Sequence, residues 1–126
     1  MCPSHKTNTQ AWASRLIKFT SYLMTSFVGA NSTRASDAAN GKTYKIGDFN
    51  SQSMILWETD ETRADYFNDG GSTPEEGLTR RHSDGAIIGI IDGHAEFVKW
   101  NRYNQLLQDP NKNVLWCFPG TENGRY

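Results

Sequence analysis

Long apolar runs are absent from this 126-residue sequence. Uninterrupted runs such as Met54 to Trp57 and Val114 to Phe118 have only four or five residues, whereas a membrane-spanning helix needs roughly 20 apolar residues. No apolar segment follows the first residues, so no signal peptide is apparent. Either the chain is cytoplasmic or its targeting segment has been removed, and composition does not choose between the two.

An excess of charge of either sign is also absent. Lys and Arg number 13 against 14 Asp and Glu, a net charge of −1. Nucleic acids and anionic membranes attract proteins through a broad basic field, which this balance excludes. We therefore expect no nucleic-acid partner and no membrane contact by this chain itself.

Cysteine is scarce, with Cys2 and Cys117 at opposite ends of the chain. Two cysteines do not make a four-ligand zinc site by themselves. They are either two reduced, partly buried thiols or a single disulfide. By the loop-entropy account, a bridge over so long a loop would stabilise the fold by about 4–5 kcal/mol.

Apolar and aromatic residues are present in the proportions of a globular protein. Hydrophobic residues make up 37% and charged residues 21%, with four Trp, five Tyr and six Phe. A chain of this length can bury a core without metal or disulfide support. We expect residues 1–126 to form a single domain.

Local patterns predict short elements between polar loops. We expect a weak helix over 10–18, strands over 19–28 and 53–58, and an extended piece over 44–49. A short helix over 101–108 should end before Asp109-Pro110. The remaining expectations are exposed loops at 31–42 and 59–79, a terminal strand or docked segment at 114–118, and a loose end at 120–124.

The strongest local signal is a β-hairpin over 85–100. Asp92-Gly93 between two β-rich runs predicts a two-residue type I′ turn. That turn pairs Ile91 with His94, and its register continues as Ile90 with Ala95, Ile88 with Phe97 and Ala86 with Lys99. Both faces would then be largely apolar, so the hairpin should be central and covered on both sides. The expected fold class is α+β, one antiparallel sheet around this hairpin with one or two short helices.

The hairpin sequence also points to a family. His82 is followed by nine residues and then Asp92-Gly93-His94, with Arg80-Arg81 before it and Ala95 to Trp100 after it. This segment resembles the prepilin-type processing-associated family, whose signature is a His, nine residues and Asp-Gly. Weaker agreement comes from Cys2-Pro3-Ser4, Ser21 to Met24, Leu56-Trp57-Glu58 and Leu115 to Gly120.

Members of that family begin with a prepilin leader and a long apolar helix, and they resemble the pseudopilins of type II secretion. The resemblance implies a non-enzymatic structural or interaction domain outside the inner membrane of a bacterium. Its partners would be pseudopilins or other proteins of a secretion or surface assembly, and the parent protein would be anchored in the inner membrane. In this chain Cys-Pro-Ser starts at residue 2, so we expect the globular part without the helix, either as a piece of a longer protein or as a shortened relative.

The motif residues are expected to be structural. An extended chain from His82 to Asp92 spans roughly 30 Å, too far for a catalytic pair or a shared metal. Asp92 and Gly93 should make the turn, and His82 should close the other end of the strand by hydrogen bonding to Glu58. His94 should be exposed, and His5 should be disordered.

Other functions have weaker signals. No Ser or Cys has a recognisable nucleophile setting, and neither a zinc-protease run nor a phosphate loop is present. Some pseudopilins bind calcium in a loop, so the resemblance admits calcium at Asp60, Asp65, Asn68 and Asp69, which offer oxygen ligands. The alternatives are a secreted module that binds a glycan or another small ligand through the acidic and aromatic loop 59–79, and a metal-dependent hydrolase using His82 or His94.

Overall fold

The computed structural model describes residues 1–28 and 44–125. Its strands are β1 (Leu23–Thr25), β2 (Met54–Trp57), β3 (Gly71–Ser72), β4 (Gly85–Ile90) and β5 (Ala95–Lys99), and its α-helices are α1 (Gln10–Ser14) and α2 (Trp100–Gln108). They form one sheet in the order β3-β1-β2-β4-β5. The expected α+β class is confirmed, although β1 and β3 pair in parallel while the other strand pairs are antiparallel. None of the helices in the described ranges is long and apolar enough to cross a membrane.

Several predicted elements are shorter than expected. The helix over 10–18 is limited to α1, and the strand over 19–28 is limited to β1. Residues Ile46–Asp48 form a 3-10 turn inside the piece expected to be extended. The 31–42 loop prediction lies outside the described residues.

The acidic segment 59–79 is not the surface loop that its composition suggested. It contains the 3-10 turns Ala64–Phe67 and Pro74–Glu76 as well as β3. An isolated bridge between Thr59 and Leu78 closes its base, and both of these side chains are buried. Phe67 is fully buried as well. The apolar residues dispersed among the charges anchor the segment, which a count of acidic residues does not reveal.

The hairpin forms, but its predicted turn and register are wrong by one residue. Ala86 pairs with Val98, Ile88 with Glu96 and Gly89 with Ala95. The turn is a three-residue loop over 91–93, closed by the Gly93 N–H donating to the Ile90 carbonyl at 3.0 Å. Gly93 has φ 99°, which favours glycine.

Ile91 explains the shift, because it leaves the hairpin ladder. Its N–H donates to the Ser53 carbonyl at 2.9 Å, and its side chain packs against a second apolar cluster. A one-residue slip turns every side chain of a strand to the other face. Val98 therefore faces the core, and Phe97 is 46% exposed. The expectation of a central hairpin covered on both sides is also wrong, since β5 is an edge strand with mostly exposed side chains.

Helix α2 covers one face of the sheet. Tyr103 and Leu106, one turn apart, pack into the main cluster, and the Tyr103 hydroxyl donates to the Pro74 carbonyl at 2.6 Å. The helix ends at Gln108, as predicted from the restriction that Pro110 places on Asp109. The other members of the cluster are Met54, Trp57, Leu78, Ala86, Ile88, Ile90, Val98 and Leu115.

The C-terminal segment docks against the second cluster without forming a strand. Trp116 donates its indole N–H to the Leu107 carbonyl at 3.0 Å. Arg125 lies over the Trp116 ring at 4.2 Å, and the Gly124 carbonyl accepts from the Phe118 N–H at 2.8 Å. The end expected to be loose at 120–124 is thus tied to the domain at Gly124.

The opposite face of the sheet is partly open. Cross-strand pairing places its side chains in adjacent rows. Met24 is 38% exposed, Leu56 41% and Phe97 46%. With the neighbouring Ile87 and Ala95, these residues form an apolar surface that we call the open sheet face. Contiguous exposed apolar surface of this kind often marks an interaction site.

Gly85 is the residue at which the hairpin has least room. A Cβ atom there would lie 2.8 Å from the Phe97 ring and closer still to the Val98 carbonyl oxygen. We predict that Gly85→Ala lowers the free energy of unfolding by about 1–3 kcal/mol, because backbone cannot move aside without disturbing the β4–β5 ladder. Urea denaturation measures this change.

Gly47→Ala is the matched control for that substitution. A Cβ atom at Gly47 would meet no atom within 4 Å, so its effect should stay within about 0.5 kcal/mol. Equal unfolding midpoints for the two variants would show that β4 and β5 do not approach as closely as the structure has them.

Candidate functional site

Glu58 is the centre of the most polar buried region. It follows β2 directly and lies on the same side of the sheet as Leu56, since side chains alternate along a strand. Its side chain is 0% exposed. Its Oε2 accepts from the Ile87 N–H at 3.1 Å, and its carbonyl accepts from the Thr79 N–H at 2.9 Å. The end of β2 is therefore joined to β4 and to the segment that precedes β4.

Arg81 and His82 approach the same carboxylate oxygen. Arg81 donates from Nη2 to Glu58 Oε1 at 2.7 Å, and His82 Nε2 lies 3.2 Å from that oxygen. The contact between Glu58 and His82 that the sequence predicts is present. Arg81, which carries the counter-charge, was not singled out from the sequence, although its place beside the motif histidine was a signal.

A tight turn presents both side chains. The His82 N–H donates to the Gly85 carbonyl at 3.1 Å, which closes the turn before β4. Ser83 has φ 50° and Asp84 φ 66°, left-handed values that few residues other than glycine adopt. The Asp84 carbonyl accepts from the Trp100 N–H at 2.9 Å, so the start of α2 holds the strained turn in place.

The electrostatics of this network favour ionised Glu58 and Arg81. Burial acts to raise the pKa of Glu58, but the Arg81 hydrogen bond, the Ile87 N–H and His82 outweigh it, so the pKa lies below its usual value. Burial acts to lower the pKa of Arg81, and Glu58 and Glu61 reverse this effect. Arg81 Nη1 lies 3.2 Å from a Glu61 oxygen, without hydrogen-bond alignment. The region is thus a buried ion pair extended by a second carboxylate.

Cys2 completes the network from the N-terminal segment. Its Sγ lies 3.3 Å from His82 Nε2, and its N–H donates to the Ser21 hydroxyl at 3.0 Å. Cys2 and Cys117 are both buried free thiols in the structure, so the disulfide considered from the sequence is not formed. Cys117 instead packs in the second cluster, where burial raises its pKa to about 11.

His5 is buried, so the expectation of disorder there is wrong. Its Nδ1 lies 2.9 Å from the Ser21 hydroxyl, and its ring meets the Trp12 ring edge-on at 5.1 Å. Arg15 Nη1 lies 3.3 Å from His5 Nε2, and the Arg15 guanidinium also covers Trp12 at 3.8 Å. Aromatic and cationic packing in the N-terminal segment fixes this histidine, and the polar sequence around it gave little sign of it.

The second half of the motif lies at the hairpin turn, separate from His82. Asp92 Oδ1 accepts from the His94 N–H at 3.2 Å and also contacts the His94 ring. His94 Nε2 lies 2.8 Å from a Glu96 oxygen, and 42% of the His94 side chain is exposed, as expected. Glu96 and Asp92 raise the pKa of His94. Asp92 Oδ2 also accepts from Gln52 Nε2 at 3.1 Å, so hydrogen bonds among exposed side chains hold this turn.

The four residues considered for calcium do not converge. Asp60 accepts from the Thr62 N–H at 3.0 Å, and Asp69 accepts from the Gly71 N–H at 3.1 Å. Asp65 forms an exposed ion pair with Arg63 at 2.8 Å. Within the described ranges, these carboxylates form no cluster suited to a metal ion. Asp60 and Asp69 instead close local turns, Asp65 pairs with Arg63, and Asn68 follows the 3-10 turn Ala64–Phe67.

A cleft of about 800 Å³ opens beside the buried network. Its lining includes both positively and negatively charged side chains. The positive ones are Lys6, Arg80 and Arg81, and the negative ones are Asp60 and Glu61. Among the described residues that line it, Trp100 is the one large aromatic side chain, and it stacks on Tyr103 with ring centroids 6.0 Å apart. Phe67 lies in the core, and Tyr66 lies under the Arg63 guanidinium at 5.0 Å. The aromatic residues of 59–79 therefore do not line this cleft.

Comparisons with protein-family models, with curated proteins and with solved structures gave no match. The chain is thus described by its own fold and site, a small α+β domain with a buried Glu58–Arg81 pair and a partly open sheet. The resemblance carried by residues 80–100 remains a prediction.

Removing the charge of Glu58 tests the ion pair. We predict that Glu58→Gln lowers the free energy of unfolding by about 3–5 kcal/mol, because it leaves the buried Arg81 cation with only the unaligned Glu61 carboxylate beside it. Urea denaturation followed by circular dichroism measures this loss. The double variant Glu58→Gln/Arg81→Met should recover part of it.

Asp65→Asn is the control for that experiment, because it breaks the exposed Arg63–Asp65 pair. It should not change the unfolding midpoint measurably. Equal midpoints for Glu58→Gln and the unsubstituted protein would contradict the stabilising role given to the buried pair.

The buried His5 predicts a loss of stability in mild acid. Burial, then Arg81 and Arg15, lowers its pKa from 6.5 to about 4. The unfolded chain therefore binds a proton below pH 6.5 that the folded chain does not bind until about pH 4. This term should lower the free energy of unfolding by about 2 kcal/mol between pH 7 and pH 5.

Urea denaturation at these two pH values measures the effect in His5→Gln and His94→Gln. We expect the pH dependence to be flatter in His5→Gln only. The pKa of His94 is raised, so its contribution to stability is present below the unfolded pKa and is lost as pH rises through the folded one. An unchanged pH slope in His5→Gln would contradict the burial of a neutral imidazole.

Proposed function

We propose that this chain is a non-enzymatic structural or interaction domain of a bacterial pseudopilin-like protein. The domain is exposed outside the inner membrane, in the periplasm or at the cell surface, and the parent protein is anchored in that membrane. It works through contacts with pseudopilins or with other proteins of a secretion or surface assembly. The family resemblance of residues 80–100 and the open sheet face support this proposal.

The open sheet face carries the argument. A sheet needs an apolar layer on each apolar face, and here helix α2 supplies only one of them. Met24, Leu56 and Phe97 remain between 38% and 46% exposed on the other side. The long apolar helix that the family resemblance implies is the kind of element that such a face packs against.

The position of Cys2 agrees with this arrangement. Cys2 lies against His82, close to Glu58, and Glu58 follows Leu56 on the side of the open sheet face. A helix joined through residue 1 would therefore reach that face without passing around the sheet. Such a helix would extend the layer that the N-terminal segment begins.

The arrangement of the motif supports a structural role over catalysis. Glu58 is held by Arg81 and by the Ile87 N–H, while Asp92 accepts hydrogen bonds in an exposed turn. The two halves of the motif thus secure opposite ends of β4. The ligand-binding alternative has less support, since Trp100 is the only large aromatic residue of the described cleft lining.

Methionine oxidation tests the proposal with internal controls. The coding sequence upstream of residue 1 should encode a prepilin leader and an apolar helix. In the 126-residue chain, peroxide should oxidise Met24, whereas Met54, which is 0% exposed, should resist it. In the longer protein Met24 should become protected, as mass spectrometry of the peptides would measure.

A substitution on the face provides the matched comparison. Phe97→Glu in the longer protein should restore the oxidation of Met24, while Ile46→Glu, at an exposed site outside the open sheet face, should not. An upstream sequence without an apolar helix, or equal oxidation of Met24 in both lengths of protein, would overturn the proposal.

A further inference from the structure

Three side chains with different metal-binding atoms meet at one point. Cys2 Sγ, Glu58 Oε1 and His82 Nε2 all lie within 4.8 Å of one another. The sulfur is 3.3 Å from the imidazole nitrogen, and that nitrogen is 3.2 Å from the carboxylate oxygen. This is the only such trio in the part of the chain that the structure describes.

We propose that Cys2, Glu58 and His82 form a site for a zinc ion. Thiolate, imidazole and carboxylate are the three side-chain ligands that zinc takes in proteins. Tetrahedral coordination at zinc distances of about 2.0–2.3 Å places neighbouring ligand atoms roughly 3.3–3.5 Å apart. The two contacts that His82 Nε2 makes are within a few tenths of an ångström of that separation, so little rearrangement is needed.

The surroundings hold the ligands in place. Arg81 and the Ile87 N–H fix the Glu58 carboxylate, and the Ser21 hydroxyl accepts from the Cys2 N–H. Hydrogen bonds of this kind orient metal ligands and raise affinity.

Charge and access also suit a divalent cation. On binding, the Cys2 thiol gives its proton to solvent, so thiolate and carboxylate together supply two negative charges, one of which Arg81 offsets from 2.7 Å away. The His82 side chain is 30% exposed, which leaves a path for the ion. Three protein ligands leave a fourth position for water or another ligand, so the site is distinct from a closed four-ligand structural one.

Metal titration tests the site with zinc alone as the probe. The chelator-treated 126-residue protein should bind one equivalent of zinc in competition with a chromophoric chelator, and its melting temperature should rise with zinc concentration. Cys2→Ser and His82→Ala should each weaken binding by more than the roughly 10–100-fold typical of losing an orienting hydrogen bond. Cobalt should give a thiolate-to-metal charge-transfer band that Cys2→Ser abolishes.

The chain offers a matched control for each ligand. Cys117→Ala removes the other thiol and His94→Ala removes an exposed imidazole beside two carboxylates, and both should leave zinc affinity unchanged. Circular dichroism identifies variants that are folded, and Cys2→Ser is close enough in shape to Cys to keep the fold. Absence of stoichiometric binding, or binding that survives both ligand substitutions, would overturn the proposal. These measurements do not involve the open sheet face, so they fail or succeed independently of the proposed function.

Discussion

The buried charge of Glu58 is the constraint around which the rest of the domain is arranged. A carboxylate removed from water is costly unless charge and hydrogen bonds replace its hydration. Arg81, His82 and the Ile87 N–H provide that replacement, and they come from the turn before β4 and from β4 itself. The end of β2 is thereby fixed against the start of the hairpin. A packing of β2 against the hairpin that separated Glu58 from Arg81 would leave a buried charge without a counter-charge, which is costly. The pair therefore favours this packing over others, independently of how much it adds to the free energy of unfolding.

The two faces of the sheet differ in what covers them. One face is covered by α2 and the C-terminal segment, which together bury the apolar core. The other face has a polar end, closed by Cys2 and its neighbours over Glu58, and an apolar end at Met24, Leu56 and Phe97. The hairpin register decides this division, because it turns Val98 inward and Phe97 outward. The structural role proposed for the motif and the interaction role proposed for the open sheet face therefore concern two ends of one surface.

The proposed contact with a helix involves the apolar end of that face, and the proposed zinc site lies at its polar end. The apolar end is suited to a helix, since its side chains offer area and no fixed polar partner. The polar end presents a thiol, an imidazole and a carboxylate at separations close to those around zinc. His82 takes part in both the structural motif and the proposed zinc site. Its contact with Glu58 orients the imidazole and the carboxylate with or without a metal ion. A zinc ion there would strengthen the link between the N-terminal segment and the hairpin.

By itself, the sequence determined the features that depend on near neighbours. A glycine at 93 favours a turn, Pro110 ends α2, and apolar runs mark β2 and β4, all through local backbone preferences. The Glu58–His82 contact also followed, because each residue stands at the end of a recognisable strand. Only the tertiary structure decided the hairpin register and the burial of Arg81, Cys2 and His5. These depend on contacts between distant segments, where competition for burial outweighs the local preferences that a sequence displays.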